Sequence, residues 1–428
     1  MSISPIAVLL ILFFVTLIIG IPFVWSLTIS CVVSLCFCTG TPLMTIVQKM
    51  YNGGAKYTLL AIFFFMLAGA IMQHGGISSR LVNFAKAALG HVHGGLSVAV
   101  LAVCMLFAAL SGSSIATTAA IGGMMYPELV KEKYPEGYAA ALPVAGGTLG
   151  IVIPPSIVFV VYGATTGTSV SKLLMSGVIP GVMAGVFMCI YAYLYARKNN
   201  IPKSDNFDFK KLIAATKDAI WALLMPIIIL GGIYSGIFTP TESAAVAVVY
   251  GLFVAAFIHR EMTPSKLFQI VIDAVKGTAN ILMLIMAASL FGYALTVYQF
   301  PAMFTNLMST FITGKYTFLL FLNILLIILG MLMDSGAIIL IIAPLVYPMA
   351  VSFGIDPVQL GCIIVFNLAV GQATPPFGNC LFAAIPATHQ DIVTLSKNVW
   401  PFVIILFATV FLVSYVPIFS MLLPNMMN

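Results

Sequence analysis

Charge is the scarcest property of this sequence: only 7% of its 428 residues are Asp, Glu, Lys or Arg, against roughly a quarter in a typical soluble domain. Hydrophobic residues supply 61%, and the mean hydropathy is +1.13. Too little polar surface remains to face water, so lipid is expected to cover most of the exterior. The opening Met1-Ser2-Ile3-Ser4 carries no basic residue and apolar sequence continues past Phe37. A retained first span is therefore expected rather than a cleaved leader. The seven cysteines form no C-x-x-C pair, so metal and disulfide frameworks are not expected, and they read as small packing residues. His91 and His93 are two apart, a spacing that does not share a helix face. No G-x-x-x-x-G-K-[ST] string occurs, which excludes P-loop ATP hydrolysis by this chain. The net charge of +6 is spread through loops, not gathered into a patch that would suit nucleic acid.

What is present is a succession of apolar segments, at about 5–24, 25–48, 57–73, 174–196, 219–238, 242–258, 279–298 and 394–424. Each is long enough, or nearly so, to cross a ~30 Å hydrocarbon core as a helix. Four further apolar regions are interrupted, at Ser111–Ser114, Gly150–Ser156, Asp334–Gly336 and Gly371–Gly378. The main hydrophilic stretch, 197–218, is a natural boundary between two halves. At an offset of 221 residues the halves match: Met125-Tyr126-Pro127 falls on Val346-Tyr347-Pro348, Gly150 through Pro154-Pro155 on Gly371 through Pro375-Pro376, and Val178-Ile179-Pro180 on Val399-Trp400-Pro401.

If the pairs flanking Ser113 and Asp334 are re-entrant hairpins, five crossings separate equivalent points and the repeats are inverted. In that arrangement Lys49, Lys56, Lys172 and Lys315 lie on one side and the other fourteen of the 18 basic residues on the opposite, cytoplasmic side, as the positive-inside rule requires. The expected fold is an all-α polytopic membrane protein of two inverted-topology repeats, each with a re-entrant hairpin and a broken helix. Its parts would be scaffold helices over 1–56, a first repeat over 57–196 (hairpin near 95–130, broken helix near 139–168), a linker with scaffold helices over 197–277, and a second repeat over 278–428 (hairpin near 316–353, broken helix near 358–388).

Irregular backbone at membrane depth is tolerated only where protein buries it or a polar cavity receives it. The prolines after Gly150 and Gly371 remove donors and clash with the preceding turn, so the carbonyls of Gly150, Ile153, Gly371 and Thr374 are expected to lose their intrahelical partners. With the hydroxyls of Ser111, Ser113 and Thr374 they are hard oxygen ligands suited to a small cation; the bland alternative is a simple proline kink. Of the twelve acidic residues, Glu242 and Asp334 alone are expected within the membrane, where a carboxylate marks function by default. Capping competes with that reading: Asp334 opens a helix, and Thr239-Pro240-Thr241-Glu242 has the form of a capping box. The three arginines, Arg80, Arg197 and Arg260, fall in loops, and no lysine lies in the broken segments. An anion would have to be held by helix N-termini, hydroxyls and bound cations. An integral-membrane enzyme is disfavoured, because no serine has an intramembrane His or Lys to serve as its base.

Gly112-Ser113-Ser114 with Ala116-Thr117, Gly146-Gly147-Thr148-Leu149-Gly150 through Pro155-Ser156, Thr239-Pro240-Thr241-Glu242-Ser243-Ala244-Ala245, Met333-Asp334-Ser335-Gly336 and Thr374-Pro375-Pro376 together resemble the large membrane subunit of tripartite ATP-independent periplasmic (TRAP) transporters, over nearly the whole chain. The resemblance implies a sodium-driven elevator importer in the bacterial inner membrane, working with a small four-helix membrane subunit in a one-to-one complex and with a periplasmic substrate-binding protein. Its cargo would be a carboxylate such as a C4-dicarboxylate or sialic acid. By position, Ser111, Ser113, Gly150, Ile153 and Pro155 would form one Na+ site, and Met333, Gly371, Thr374 and Phe377 a second. Ser113, Ser169, Glu242 and Asp334 would lie at or near the substrate. The runner-up is a self-sufficient sodium–dicarboxylate symporter of related architecture.

Overall fold

In a computed structural model, residues 4–201, 208–309, 311–312 and 314–427 are described; the middle of the hydrophilic linker, 202–207 with Lys203, lies outside them. Every regular element among the described residues is helical, and eight helices are long and apolar enough to cross a bilayer.

Helix Gly95–Ser111 turns at Gly112–Ser113 into Ser114–Lys131. Gly112 makes this possible with a left-handed φ of +62°, the usual helix-ending conformation. Ser113 then caps the next helix, its hydroxyl accepting from the Ala116 N–H at 3.4 Å. The succession continues as Glu136–Gly147, a 3-10 turn Thr148–Ile151, a break at the two prolines, Ile157–Thr166 and Val170–Lys198. A second set has the same order: Lys315–Leu332, Ser335–Ser352, Pro357–Ala373, Asn379–Thr388 and Ile392–Tyr415. The second hairpin arms start at Ser114 and Ser335, 221 residues apart, and end at the corresponding Lys131 and Ser352. Both Pro154–Pro155 and Pro375–Pro376 bonds are cis. The second tip turns without a left-handed glycine: Met333 is extended, and the Asp334 carboxylate caps the next helix by accepting from the Gly336 N–H at 2.9 Å.

The two sets interlock end to end. The Tyr162 hydroxyl, from the first broken helix, donates to the Pro357 carbonyl at the start of the second (3.0 Å). At the opposite ends, Gln390 Nε2 donates to Tyr126 Oη (2.8 Å) and Glu136 Oε2 (3.0 Å). One large core runs through both sets, from Leu59 to Val413. A smaller core packs Leu9, Phe13, Leu27 and Leu35 against Phe291 and Leu295 of the long helix Pro264–Val297.

Several apolar segments divide differently from the expectation. The first two are three helices, Pro5–Ile18, Phe23–Thr39 and Leu43–Gly54, because Gly20 and Gly40 take left-handed φ and a proline follows each by two residues. Segment 279–298 is the second half of the 34-residue Pro264–Val297, and segment 394–424 ends early at Tyr415 before a separate Ile418–Asn425.

The first arm of the second hairpin and the second broken helix meet backbone to backbone. A methyl carbon on Gly371 would stand 2.6 Å from Gly330 Cα, whereas one on Gly123 would meet nothing within 4 Å. Overpacking of this kind costs about 1–3 kcal/mol. Gly371→Ala is expected to lower the thermal unfolding midpoint of the purified protein by several degrees, while Gly123→Ala leaves it unchanged or slightly raised.

Candidate functional site at the hairpin tips

Both hairpin tips and both helix breaks contribute to one cleft of about 670 Å³. Gly112–Ile115 come from the first tip, Asp334–Gly336 from the second, Ile151 and Gln372 from the breaks, and Ile281 and Leu284 from helix Pro264–Val297. Among the described residues, Asp334 is the one lining residue that ionises.

Two glycines allow the first tip to touch the first break. A methyl carbon on Gly150 would lie 2.5 Å from Ser113 O, and one on Gly112 would lie 2.6 Å from Pro155 O; only a residue without a Cβ permits such an approach. The structure thereby brings Ser111, Ser113, Gly150 and Pro155 together. Ser111 Oγ lies 2.8 Å from Thr117 Oγ1, which in turn donates to Ser113 O at 2.8 Å. Thr117 thus joins the group as an oxygen not singled out from the sequence. At the break, the amides of Val152 and Ile153 both turn back to Leu149 O (3.0 and 2.9 Å), and the Ser156 hydroxyl donates to Ile151 O at 2.5 Å. No hydrogen bond among the described residues reaches the carbonyls of Gly150, Ile153 or Pro155. The Ile153 side chain packs against Gly181. Unpaired carbonyls and hydroxyls at one place are a ligand set for a hard cation.

The second break differs from the expectation. The Gly371 carbonyl keeps a partner, the Thr374 N–H at 3.0 Å, and the Thr374 hydroxyl donates to Val370 O at 2.7 Å. Helix Pro357–Ala373 runs on to the residue before Thr374, so its last turn closes before the prolines interrupt it. Phe377 is 55% exposed, and Met333 lines an adjacent cleft with Asp334, Asn280 and Ala337. What joins this break to its tip is Gln372, 3% exposed, whose Nε2 donates to Ser335 Oγ at 2.7 Å. An amide inside an apolar break was the sequence signal for it.

Ser169 and Glu242 do not line the tip cleft. Ser169 caps Val170–Lys198 through the Lys172 N–H (3.5 Å) and borders a separate cleft of about 830 Å³, together with Lys56 and Thr239–Thr241. Glu242 is exposed and closes a capping box: its Oε2 accepts from the Thr239 N–H and hydroxyl, both at 2.8 Å. Capping folds the carboxylate back onto its own helix start, which turns it away from the tips. Lys56, outside the broken segments and just before helix Leu60–His74, reaches across to donate to the Ala164 carbonyl at the end of the first broken helix.

Residues 10–419 match the family described as the tripartite ATP-independent periplasmic transporter, DctM component. The chain belongs to this family. As a DctM component it is a multi-pass transporter permease, not an enzyme. It is 43% identical to the C4-dicarboxylate TRAP transporter large permease protein DctM of Pseudomonas aeruginosa, over 88% of each chain. It is 37% identical to the isethionate TRAP transporter permease protein DctMQ of Oleidesulfovibrio alaskensis, over 98% of this chain and 66% of that one. The sialic acid TRAP transporter large permease protein SiaM of Vibrio cholerae is 33% identical over 95% of each. Among solved structures the YdaH transporter of Alcanivorax borkumensis superposes with a TM-score of 0.63 at 15% identity, covering 90% of this chain and 87% of that one. That likeness extends to the fold alone.

A substitution that keeps the cap separates chemistry from capping at Asp334. Asparagine caps a helix about as well as aspartate but brings no charge. Asp334→Asn and Ser113→Ala are each expected to cut uptake about tenfold or more, equivalent to about 1.4 kcal/mol or more, at unchanged membrane abundance. Uptake retained in Asp334→Asn would leave that carboxylate only its capping role.

Proposed function

We propose that this permease carries a carboxylate inward with sodium by an elevator motion of its two repeats in a bacterial inner membrane. The observation that carries the reading is the cleft in which both tips and both breaks meet, with a single carboxylate and no basic side chain among the described residues. Such a cleft repels an anion when empty. Once cations bind, it can accept one, because opposite charges close together favour each other strongly in a low-dielectric setting. Sodium and substrate then load together, which is coupling. Ser111, Ser113, Gly150, Ile153 and Pro155 would hold one sodium ion. Met333, Gly371, Thr374 and Phe377 would supply a second site after rearrangement of that break. The cargo carboxylate would sit against Ser113 and Asp334, with Ser169 and Glu242 flanking the route from the neighbouring cleft.

Inverted repeats with re-entrant hairpins are supported by the end-to-end bonds Tyr162–Pro357 and Gln390–Glu136, in which the end of each broken helix meets the start of the other. The division of basic residues points the same way. The ion pairs Arg80–Asp218 (3.2 Å), Arg80–Glu261 (2.9 Å) and Lys86–Glu128 (3.1 Å) gather groups assigned to the cytoplasmic side, while Lys56, Ser169 and Thr239 share a cleft on the other. The name DctMQ of a longer relative supports a small separate partner for this chain, one per permease, and a periplasmic binding protein would deliver the cargo. A C4-dicarboxylate is the first cargo to test, since the P. aeruginosa relative is named for it; sialic acid is the second.

Uptake into proteoliposomes holding the one-to-one complex, as verified by native mass measurement, tests this. Cargo presented with its binding protein is expected to accumulate under an inward sodium gradient and not under a pH gradient in sodium-free buffer. Full-rate proton-driven uptake would sink sodium coupling, and sodium-driven uptake by the large subunit alone would favour a self-sufficient symporter.

A further inference from the structure

Three clefts form a chain. The tip cleft shares Leu340 with a second cleft of about 640 Å³, and that one shares Lys56 and Ala164 with the cleft at Ser169 and Thr239. Two elements run alongside. The first broken helix contributes Val161, then Ala164 and Thr165; helix Pro264–Val297 contributes Leu284, then Ser289 and Thr296. Among the described residues lining the three clefts, two carry a charge at neutral pH: Asp334 at one end and Lys56 where the other two clefts join.

We propose that this chain of clefts is the inward route of the cargo and that Lys56 is its carboxylate-receiving residue. The proposal rests on the carboxylate-importer reading above. An ammonium group has three donors. The Ala164 carbonyl takes one, leaving two for an incoming carboxylate. The Ser169 hydroxyl, which accepts from the Lys172 N–H and keeps its own proton free, borders the same space and can donate to a remaining carboxylate oxygen. An anion that enters here meets the positive group first, and a charge-assisted hydrogen bond is the strong kind. It then moves along the seam between Ile157–Thr166 and Pro264–Val297 to Asp334, where bound cations are needed to hold it. The link to Ala164 places Lys56 at the end of the helix whose other end forms the first break, so cargo competing for the ammonium also acts on that contact. Lys56 therefore sets selectivity for carboxylates over neutral analogues rather than the rate of crossing.

Two measurements test this. In purified wild-type complex, amine acetylation of Lys56 is followed by mass spectrometry with succinate, with N-acetylneuraminate and with sodium chloride alone, using Lys172 and Lys315 as internal references. One of the two carboxylates is expected to slow modification of Lys56 severalfold without protecting the references. Equal modification under all conditions would overturn the proposal. In proteoliposomes, Lys56→Gln is expected to raise the apparent KM for the protecting carboxylate about tenfold, the scale of one lost charge-assisted contact, with the maximal rate and sodium dependence retained. Lys56→Arg should restore the KM to within about threefold, because it keeps the charge. A wild-type KM in Lys56→Gln, or a loss of maximal rate that arginine does not rescue, would contradict it. Absence of sodium-driven uptake by the wild type would count against the importer reading, while the acetylation result would still decide the role of Lys56.

Discussion

A backbone amide or carbonyl inside a bilayer must find a partner within the protein or in a polar cavity, and the rest of this structure depends on how that demand is met. The prolines at 154–155 and 375–376 interrupt two helices. The freed groups are dealt with locally by bonds back to Leu149 and Gly371, and by the hydroxyls of Ser156 and Thr374. What remains unpaired at Gly150 and Pro155 lies against a hairpin tip that two glycines allow to come within contact distance. The same economy that leaves the chain almost without charge therefore concentrates oxygen at one place. The broken helices and their interlocking ends tie the two sets to each other.

Electrostatics then follows from how few charges there are. Along the clefts one lysine and one aspartate stand apart. Neither is paired with a side chain of opposite sign among the described residues, so each acts on whatever occupies the route. On the route proposed above, a positive group first and a negative group last would make an ordering device, drawing the anion in but letting it rest at the tips only with cations present. On the crowded basic side Arg80 and Lys86 are instead tied up, in Arg80–Asp218, Arg80–Glu261 and Lys86–Glu128.

Local chemistry was legible in the sequence. The turn at Gly112–Ser113 needs a glycine and a capping hydroxyl next to each other, and both stand there in an otherwise apolar run. The break at Pro154–Pro155 and its counterpart at offset 221 are equally local, and so is the capping box at Thr239–Glu242, which the structure shows closed. Contacts between segments far apart in the chain were not legible. Lys56 belongs by sequence to a short polar turn, and only its reach to Ala164 brings it to the clefts. Gln372 is next to Gly371, but its bond to Ser335 depends on how hairpin and broken helix dock, and the bond of Thr117 to Ser111 depends on how the first tip folds back. The Gly371 carbonyl was misread because periodicity does not say at which residue a helix closes before a proline.

The central claim is that the tips bind anion and cation as one. It is tested most directly by thermal unfolding of the purified complex with and without succinate or N-acetylneuraminate, in sodium and in potassium. Linkage predicts that the transported carboxylate raises the unfolding midpoint in sodium and has no effect in potassium, since a ligand stabilises only the state it binds. An equal rise in both salts would contradict cation-dependent binding at the tips.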